Sequence, residues 1–293
     1  MLLRTDGAGR FSRLNRAVLL LLVAGVFLAG SRSPARPQAV RDRLSLESLL
    51  KRCADYCERL SRASLNFVCR EKIEETVYFG LRRADSKRAY WNAFRRSWAL
   101  RNNYVYDYQL FQKAGFLEES RTLLEENGEA RNEKNAALKT DCFDHKYVVL
   151  GPIGLLATNW QARNEFRILD RRKIGRDEAV VIEVRPRGEA LPGHLYGRVW
   201  VRAADAGILR IEWAPESLGN YAQMLASAGE RAVPEVSFVS EYGLEKNGVR
   251  FPSRYRIAEA YRNRRGENIF PQSETVVVYE AYKFFTVETE VRY

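Results

Sequence analysis

The chain has 293 residues, a formal net charge of +11, 46% hydrophobic residues and 12% aromatic residues. This length and apolar content allow a sizeable core, in one large β domain or in two ordinary domains. Acidic and basic residues are interspersed without a dense Lys/Arg stripe, which argues against a nucleic-acid-binding protein.

The N-terminus has the pattern of an export signal. Residues 1–16 carry four arginines against one aspartate, and residues 17–30, AVLLLLVAGVFLAG, are apolar and uncharged. This run is shorter than the roughly 20 residues of a membrane-spanning helix but fits the hydrophobic region of a signal peptide. We therefore predict a signal peptide over residues 1–31 and a periplasmic protein. An uncleaved segment that tethers the protein to the inner membrane is the alternative.

The signal segment also explains much of the charge. Residues 1–39 hold six arginines and one aspartate, and their removal lowers the net charge from +11 to +6. Attraction to an anionic membrane surface stays compatible with that balance. Residues 32–43 are rich in Pro and Arg and predict a flexible linker. Nothing splits the remainder, so we expect one β-rich domain over residues 44–293 and a monomer.

The hydrophobic pattern predicts one helix followed by many strands. Residues 44–62 show apolar side chains at helical spacing, with Ser45 as N-cap. From residue 65 onwards, alternating segments separated by turn signals predict about ten antiparallel strands, with Asn247-Gly248 as the strongest hairpin signal. The polar run after residue 125 is read as a loop. Two apolar insertions, GPIGLLATNWQ and the segment around NYAQMLASA, predict short helices.

The hairpin GRVWVRAADAGILRIEW shows why the sheet should have two different faces. In GRVWVR, the period of two places Val199 on one face of the strand and Trp200, Arg198 and Arg202 on the other face. In ILRIEW, the same alternation places Leu209 and Trp213 on the apolar face and Ile208 on the charged face. We therefore predict a mainly β fold, a curved antiparallel sheet that forms an unclosed β-barrel.

The two apolar insertions suggest a function for the predicted concave face. They are too few to cover a ten-stranded sheet but suit a plug or lid. The protein would then bind a lipid, an acyl chain or a lipoprotein in an apolar groove. The candidate groove residues are Leu155, Leu156, Trp160, Trp213, Tyr221 and Met224. The alternative is a structural or protein-interaction module of the cell envelope with a solidly packed sheet.

Motifs of common enzymes are missing from the sequence. G-x-S-x-G, H-E-x-x-H and G-x-G-x-x-G do not occur. Cys142 and His145 have a ligand-like gap, but no second pair has matching spacing, so we expect neither a metal nor a cofactor. His145 itself is read as a solvated loop residue. These observations predict a protein that is not an enzyme.

Four cysteines in an exported chain predict disulfides. Cys53 and Cys57 share a helix face with Cβ atoms about 5–6 Å apart, whereas a disulfide needs about 3.8 Å. We therefore expect a bridge from this helix to Cys69 in the next strand. Matching lengths back from the turn favours Cys53 as the partner. Cys142 is left for a second bridge or as a free thiol.

Two stretches carry resemblances to known proteins. GRVWVR and GILRIEW, followed by the Asn-Gly hairpin and FPSRY, resemble the LolA/RseB-like superfamily over about residues 160–285. That resemblance implies an unclosed antiparallel β-barrel with helices inside its concavity, and carriage or sensing of lipoproteins or lipids in the periplasm. YCERLSRASLNFVCREKIEE resembles a group of exported bacterial proteins in which Tyr-Cys and Phe-Val-Cys recur together. This second resemblance implies a disulfide between Cys57 and Cys69.

Overall fold

A computed structural model provides the structure of the chain. It describes residues 45–63, 66–79, 98–113, 116–140, 150–190, 193–230, 232–265 and 269–285. The predicted signal peptide and linker lie outside the described residues, as do Cys142 and His145. No helix among the described residues is long and apolar enough to cross a membrane.

The described ranges contain four α-helices and thirteen strands. The helices are α1 (Leu46–Ala63), α2 (Gly151–Leu156), α3 (Thr158–Gln161) and α4 (Tyr221–Ala228). The first strands are β1 (Phe67–Phe79), β2 (Trp98–Lys113), β3 (Phe116–Glu126), β4 (Glu129–Lys134), β5 (Asn164–Ile174), β6 (Asp177–Pro186) and β7 (Gly197–Arg202). The remaining strands are β8 (Ile208–Trp213), β9 (Ala232–Glu241), β10 (Leu244–Lys246), β11 (Val249–Phe251), β12 (Arg254–Asn263) and β13 (Ile269–Phe284).

Eleven of these strands form one sheet in the order β4-β3-β2-β1-β13-β12-β9-β8-β7-β6-β5. Each neighbouring pair is antiparallel. The sheet is not closed, since β4 and β5 lie at its two ends. Strands β10 and β11 form a separate two-stranded ribbon. The predicted open antiparallel architecture with an N-terminal helix and short helical insertions is therefore confirmed.

The sheet buries one face, here called the inner face, and exposes most of the other, the outer face. A row of inner residues follows the strand pairing across most of the sheet: Ile182, Val199, Ile211, Tyr255 and Val277. All five are buried and belong to a single apolar cluster. Because side chains alternate along a strand, this row fixes which residues of each neighbouring strand point inward.

Helix α1 packs against the inner face. Its N-terminus is capped as predicted, because the backbone N–H of Ser48 donates a hydrogen bond to Ser45 Oγ at 3.1 Å. Five side chains at helical spacing are no more than 1% exposed and join the same cluster: Leu49, Cys53, Tyr56, Cys57 and Leu60. Leu155 and Leu156 of α2 are also fully buried there. Among the described residues, these two helices therefore occupy space in front of the inner face.

Two hydrogen-bonded contacts hold α1 in this position. The backbone N–H of Arg250, on β11, donates to the Tyr56 hydroxyl at 2.8 Å. The Arg52 guanidinium donates to the carbonyl oxygens of Ala203 and Ala204 in the β7–β8 turn, the first at 3.0 Å. The helix is thus tied to two separate hairpins as well as to the apolar cluster.

A β-bulge corrects the predicted facing of β8. The pairing of β7 with β8 shifts between Trp200 and Val201, so that Trp200 lies opposite Arg210 and Val201 opposite Ile208. Ile208 is therefore fully buried in the main cluster instead of on the charged face. Leu209 packs against Trp200 in a small apolar cluster apart from the main one. A bulge adds one residue to a strand and so reverses the alternation beyond it.

The polar run after residue 125 is not a simple loop. It contains strand β4, which pairs with β3 through a turn at Asn127 and Gly128. Both turn residues have positive φ, 50° and 83°, as Asn247 and Gly248 do in the β10–β11 ribbon. Asn-Gly suits such turns because both residues tolerate this conformation. All six residues of β4 are exposed, so no alternation in the sequence marks this strand.

The inner face also holds a buried ion pair. The carboxylate of Glu71 is fully buried on β1 and accepts a hydrogen bond from Arg121 Nε on β3 at 2.7 Å. The Tyr279 hydroxyl donates to the same carboxylate at 2.8 Å. The Arg121 guanidinium lies 4.8 Å from the ring centroid of Tyr108. Neither charge can be removed alone without leaving the other one buried and less well compensated.

We therefore predict that Glu71→Ala lowers the free energy of unfolding by about 3 kcal/mol, the lower end for a broken buried pair, since Arg121 loses Glu71 but keeps its buried ion pair with Glu119. Glu74 is the matched control, because it lies exposed on the same strand. Glu74→Ala should change stability by no more than about 0.5 kcal/mol. Urea unfolding of the wild-type protein, Glu71→Ala and Glu74→Ala measures both changes in the free energy of unfolding. A loss below about 1 kcal/mol for Glu71→Ala would contradict the assigned role of this pair.

Candidate functional site

Strands β8 and β9 separate along part of their length. Strand β9 pairs with β12 over all of Ala232–Glu241 but with β8 only over Phe238–Glu241. Beyond Trp213 the chain leaves the sheet through a 3₁₀ turn at Pro215–Ser217 and helix α4. Residues 232–237 of β9 therefore have no strand on this side among the described residues. We call this place the β8–β9 split.

A pocket of about 460 Å³ lies at the β8–β9 split. Its wall combines charged residues with an apolar part made of Trp213, Pro215, Val236 and Phe238. The rings of Trp213 and Phe238 lie 5.9 Å apart, and Trp213 Nε1 donates a hydrogen bond to Ser240 Oγ at 2.8 Å. This bond fixes the orientation of the indole, which belongs to the main apolar cluster.

Arginines neutralise two of the carboxylates in the wall. Glu183 accepts hydrogen bonds from Arg167 at 2.8 Å and from Arg185 at 3.1 Å. Burial raises the pKa of Glu183, but the hydrogen bonds and charges of these two arginines outweigh it and lower that pKa below its usual value. Glu212 accepts a hydrogen bond from Arg210 at 2.6 Å. Both glutamates are therefore already paired with arginines.

Helix α4 lies next to the split and is loosely packed. It contacts β9 and the 3₁₀ turn, the two elements that contribute the apolar wall beyond β8. None of its eight residues is buried, and Leu225 is 43% exposed. Tyr221 and Met224 are half-buried. A helix with so few buried contacts opens at a lower free-energy cost than the core helices do.

The structure separates the predicted groove residues into groups. Leu155 and Leu156 belong to the filled core, because α1 and α2 occupy the inner face where the groove was expected. Trp213 lies in the wall of the pocket at the split, and Tyr221 and Met224 lie on α4 beside it. The six residues therefore do not line one common groove.

Trp160, the sixth predicted groove residue, has a different environment. It lies on α3 and is half-buried. Its ring centroid is 4.8 Å from that of His194, and the Arg163 guanidinium lies 5.5 Å from the Trp160 ring centroid. Burial, followed by the charge of Arg163, lowers the pKa of His194, so this histidine is neutral at pH 7. These contacts describe a packed aromatic cluster at the surface of the sheet.

The described cysteines are free thiols. Cys53, Cys57 and Cys69 are buried and unbonded, so the expected Cys57–Cys69 disulfide is not formed in this structure. Cys57 donates to the carbonyl oxygen of Pro152 at 3.5 Å, whereas the Cys69 thiol has Tyr282 beside it. The two sulfurs therefore have different neighbours. No group of three or more His, Cys, Asp or Glu among the described residues could hold a metal ion.

The chain is similar to several solved structures in its fold. No family model matches the chain, and no curated protein matches it. The structure is similar to that of a LolA superfamily protein from Nitrosomonas europaea, with 11% identity and a TM-score of 0.31 over 84% of this chain and 96% of that chain.

It is also similar to a putative outer membrane lipoprotein-sorting protein domain from Vibrio parahaemolyticus, with 11% identity and a TM-score of 0.33 over 82% of this chain and 94% of that chain. The complex of MucA and MucB from Pseudomonas aeruginosa gives 11% identity and a TM-score of 0.22, over 80% of this chain and 99% of that chain. These likenesses concern the fold alone.

The environment of the thiols predicts their reactivity. Burial raises the pKa of Cys53 to about 12 and also raises the pKa values of Cys57 and Cys69. Since the thiolate is the reactive form, all three should resist an aromatic disulfide reagent at pH 8 in the native protein. All three should react after unfolding in guanidinium chloride without reductant. Two or fewer reactive thiols in the unfolded chain would instead indicate a disulfide, such as Cys57–Cys69.

Proposed function

We propose that the protein is a non-enzymatic binding protein of the cell envelope that holds the acyl chain of a lipid or lipoprotein at the β8–β9 split. The supporting observation is the pocket of about 460 Å³, whose apolar wall lies beside a helix without a buried residue. Its volume is within the range of about 300–1,000 Å³ that is typical of small-molecule sites. The exported location follows from the predicted signal peptide over residues 1–31.

The energetics of an acyl chain suit such a site. Burial of one methylene group contributes about 0.8 kcal/mol, so about ten methylene groups give roughly 8 kcal/mol before ordering costs. Association costs several kcal/mol of lost translational and rotational freedom, so a longer chain binds more tightly by adding methylene groups against the same cost. Binding of this kind needs no reactive side chain, in keeping with the lack of enzyme motifs in the sequence.

A second candidate function follows from the filled inner face. The protein would then be a structural or protein-interaction module that binds partners through its outer face. Cross-strand ion pairs cover parts of this face, among them Arg256–Glu274 and Lys72–Glu280. A charged outer surface of this kind suits reversible contact with another protein better than it suits an acyl chain.

Quenching by brominated fatty acids distinguishes the two candidates. We expect a monomeric brominated acyl chain to quench part of the tryptophan emission, because bromine on a bound chain contacts the Trp213 indole in the pocket wall. Trp213→Phe should abolish this quenching. Trp160→Phe is the matched control and should retain it, since Trp160 packs against His194 on another element. Circular dichroism of each variant checks that the sheet is intact.

Two results would contradict acyl-chain binding at the split. Quenching that survives in Trp213→Phe but disappears in Trp160→Phe would place the chain near α3 instead. If no tryptophan is quenched and native mass spectrometry finds the protein always free of ligand, acyl-chain binding is overturned and the interaction module remains.

A further inference from the structure

One arginine in the pocket lacks an acidic partner. Arg198 lies on β7, between strands β6 and β8. In the strand register it is opposite Glu183 of β6 on one side and opposite Glu212 of β8 on the other. Glu183 is already paired with two other arginines, and Glu212 is paired with Arg210. Arg198 is exposed and has neither an ion pair nor a hydrogen bond within the described ranges. Its guanidinium therefore offers all its donors to whatever enters the pocket.

A glutamate in the same pocket also has no ion pair with any residue that the structure describes. Glu216 lies in the 3₁₀ turn, which is fastened to the carbonyl oxygen of Tyr196 by the backbone N–H of Ala214 at 2.8 Å and by Ser217 Oγ at 3.3 Å. Burial, followed by the charge of Glu216, raises the pKa of Tyr196, which places this carboxylate near the phenol. Tyr196 precedes Arg198 by two residues, and Tyr196, Arg198 and Glu216 all line the pocket.

The two unpaired charges have opposite signs and do not form an ion pair with each other in the described structure. Three arginines and three glutamates line the pocket, which makes its charge balanced: Arg185, Arg198, Arg210, Glu183, Glu212 and Glu216. A ligand with net negative charge would gain from Arg198 but would be repelled by Glu216. A ligand that carries one charge of each sign would satisfy both groups.

We infer that the β8–β9 split binds a zwitterionic phospholipid with a phosphoethanolamine head group. Its phosphate binds the guanidinium of Arg198, which matches phosphate oxygens through two parallel hydrogen bonds. Its ammonium group binds the carboxylate of Glu216. Its acyl chain packs against Trp213 and Phe238. This inference rests on the proposed function and adds the chemical class of the head group.

Binding of two lysophospholipids, each kept below its critical micelle concentration, tests the inference by calorimetry. We expect wild-type protein to bind lysophosphatidylethanolamine more tightly than lysophosphatidylglycerol with the same chain. Arg198→Ala should weaken both by about tenfold, the usual effect of losing a charge-assisted hydrogen bond. Glu216→Gln should weaken only the ethanolamine lipid, because the glycerol head group has no ammonium.

Matched controls are Arg254→Ala and Glu74→Gln, since both side chains are exposed and lie on strands that do not line the pocket. Neither control should change either affinity. Equal wild-type affinities, or an unchanged ethanolamine affinity in Arg198→Ala or in Glu216→Gln, would overturn the head-group inference while leaving acyl-chain binding in place. If wild-type protein binds neither lipid, the proposed function fails as well.

Discussion

Helix α1 lies against the inner face of the sheet, and the position of each binding surface follows from that contact. An open eleven-stranded sheet has one apolar face that must be covered. Five buried side chains of α1 supply on the order of 10 kcal/mol of apolar burial before entropy costs. Hydrogen bonds from Arg250 to Tyr56 and from Arg52 to the β7–β8 turn fix the orientation of the helix on the sheet. A ligand on the inner face would first have to displace this helix.

Apolar ligands are therefore expected where cover is weakest. At the β8–β9 split, residues 232–237 of β9 are not paired with β8. Helix α4, which contacts β9, has eight residues and no buried side chain. Trp213 connects the two regions, because it belongs to the main apolar cluster and is also one of the residues that line the pocket. The unpaired charges of Arg198 and Glu216 lie in that same pocket. The proposed apolar and polar contacts with the ligand thus lie at one place in the fold.

The sequence correctly predicts the alternating strands, the N-cap at Ser45 and the hairpin at Asn247-Gly248. It does not predict the hairpin at Asn127-Gly128, which lies in a run that is interpreted as a loop. Three features depend on tertiary context. The bulge that turns Ile208 inward leaves no local signal, and β4 is exposed on both faces. The sequence does not show that Glu71 is buried, because its ion-pair partner Arg121 lies on a different strand. Amphipathicity identified the buried side of α1 but could not show that this helix fills the groove assigned to Leu155 and Leu156.

Hydrogen–deuterium exchange, measured with and without lysophosphatidylethanolamine, tests most directly whether α1 stays in place while the split binds ligand. We expect added lipid to slow exchange in α4 and in residues 232–237 of β9, because the ligand covers the part of this strand that is not paired with β8. Exchange in α1 should not change. Faster exchange throughout α1 upon lipid addition, with no protection at α4 or β9, would show that the lipid displaces α1 and would contradict the account.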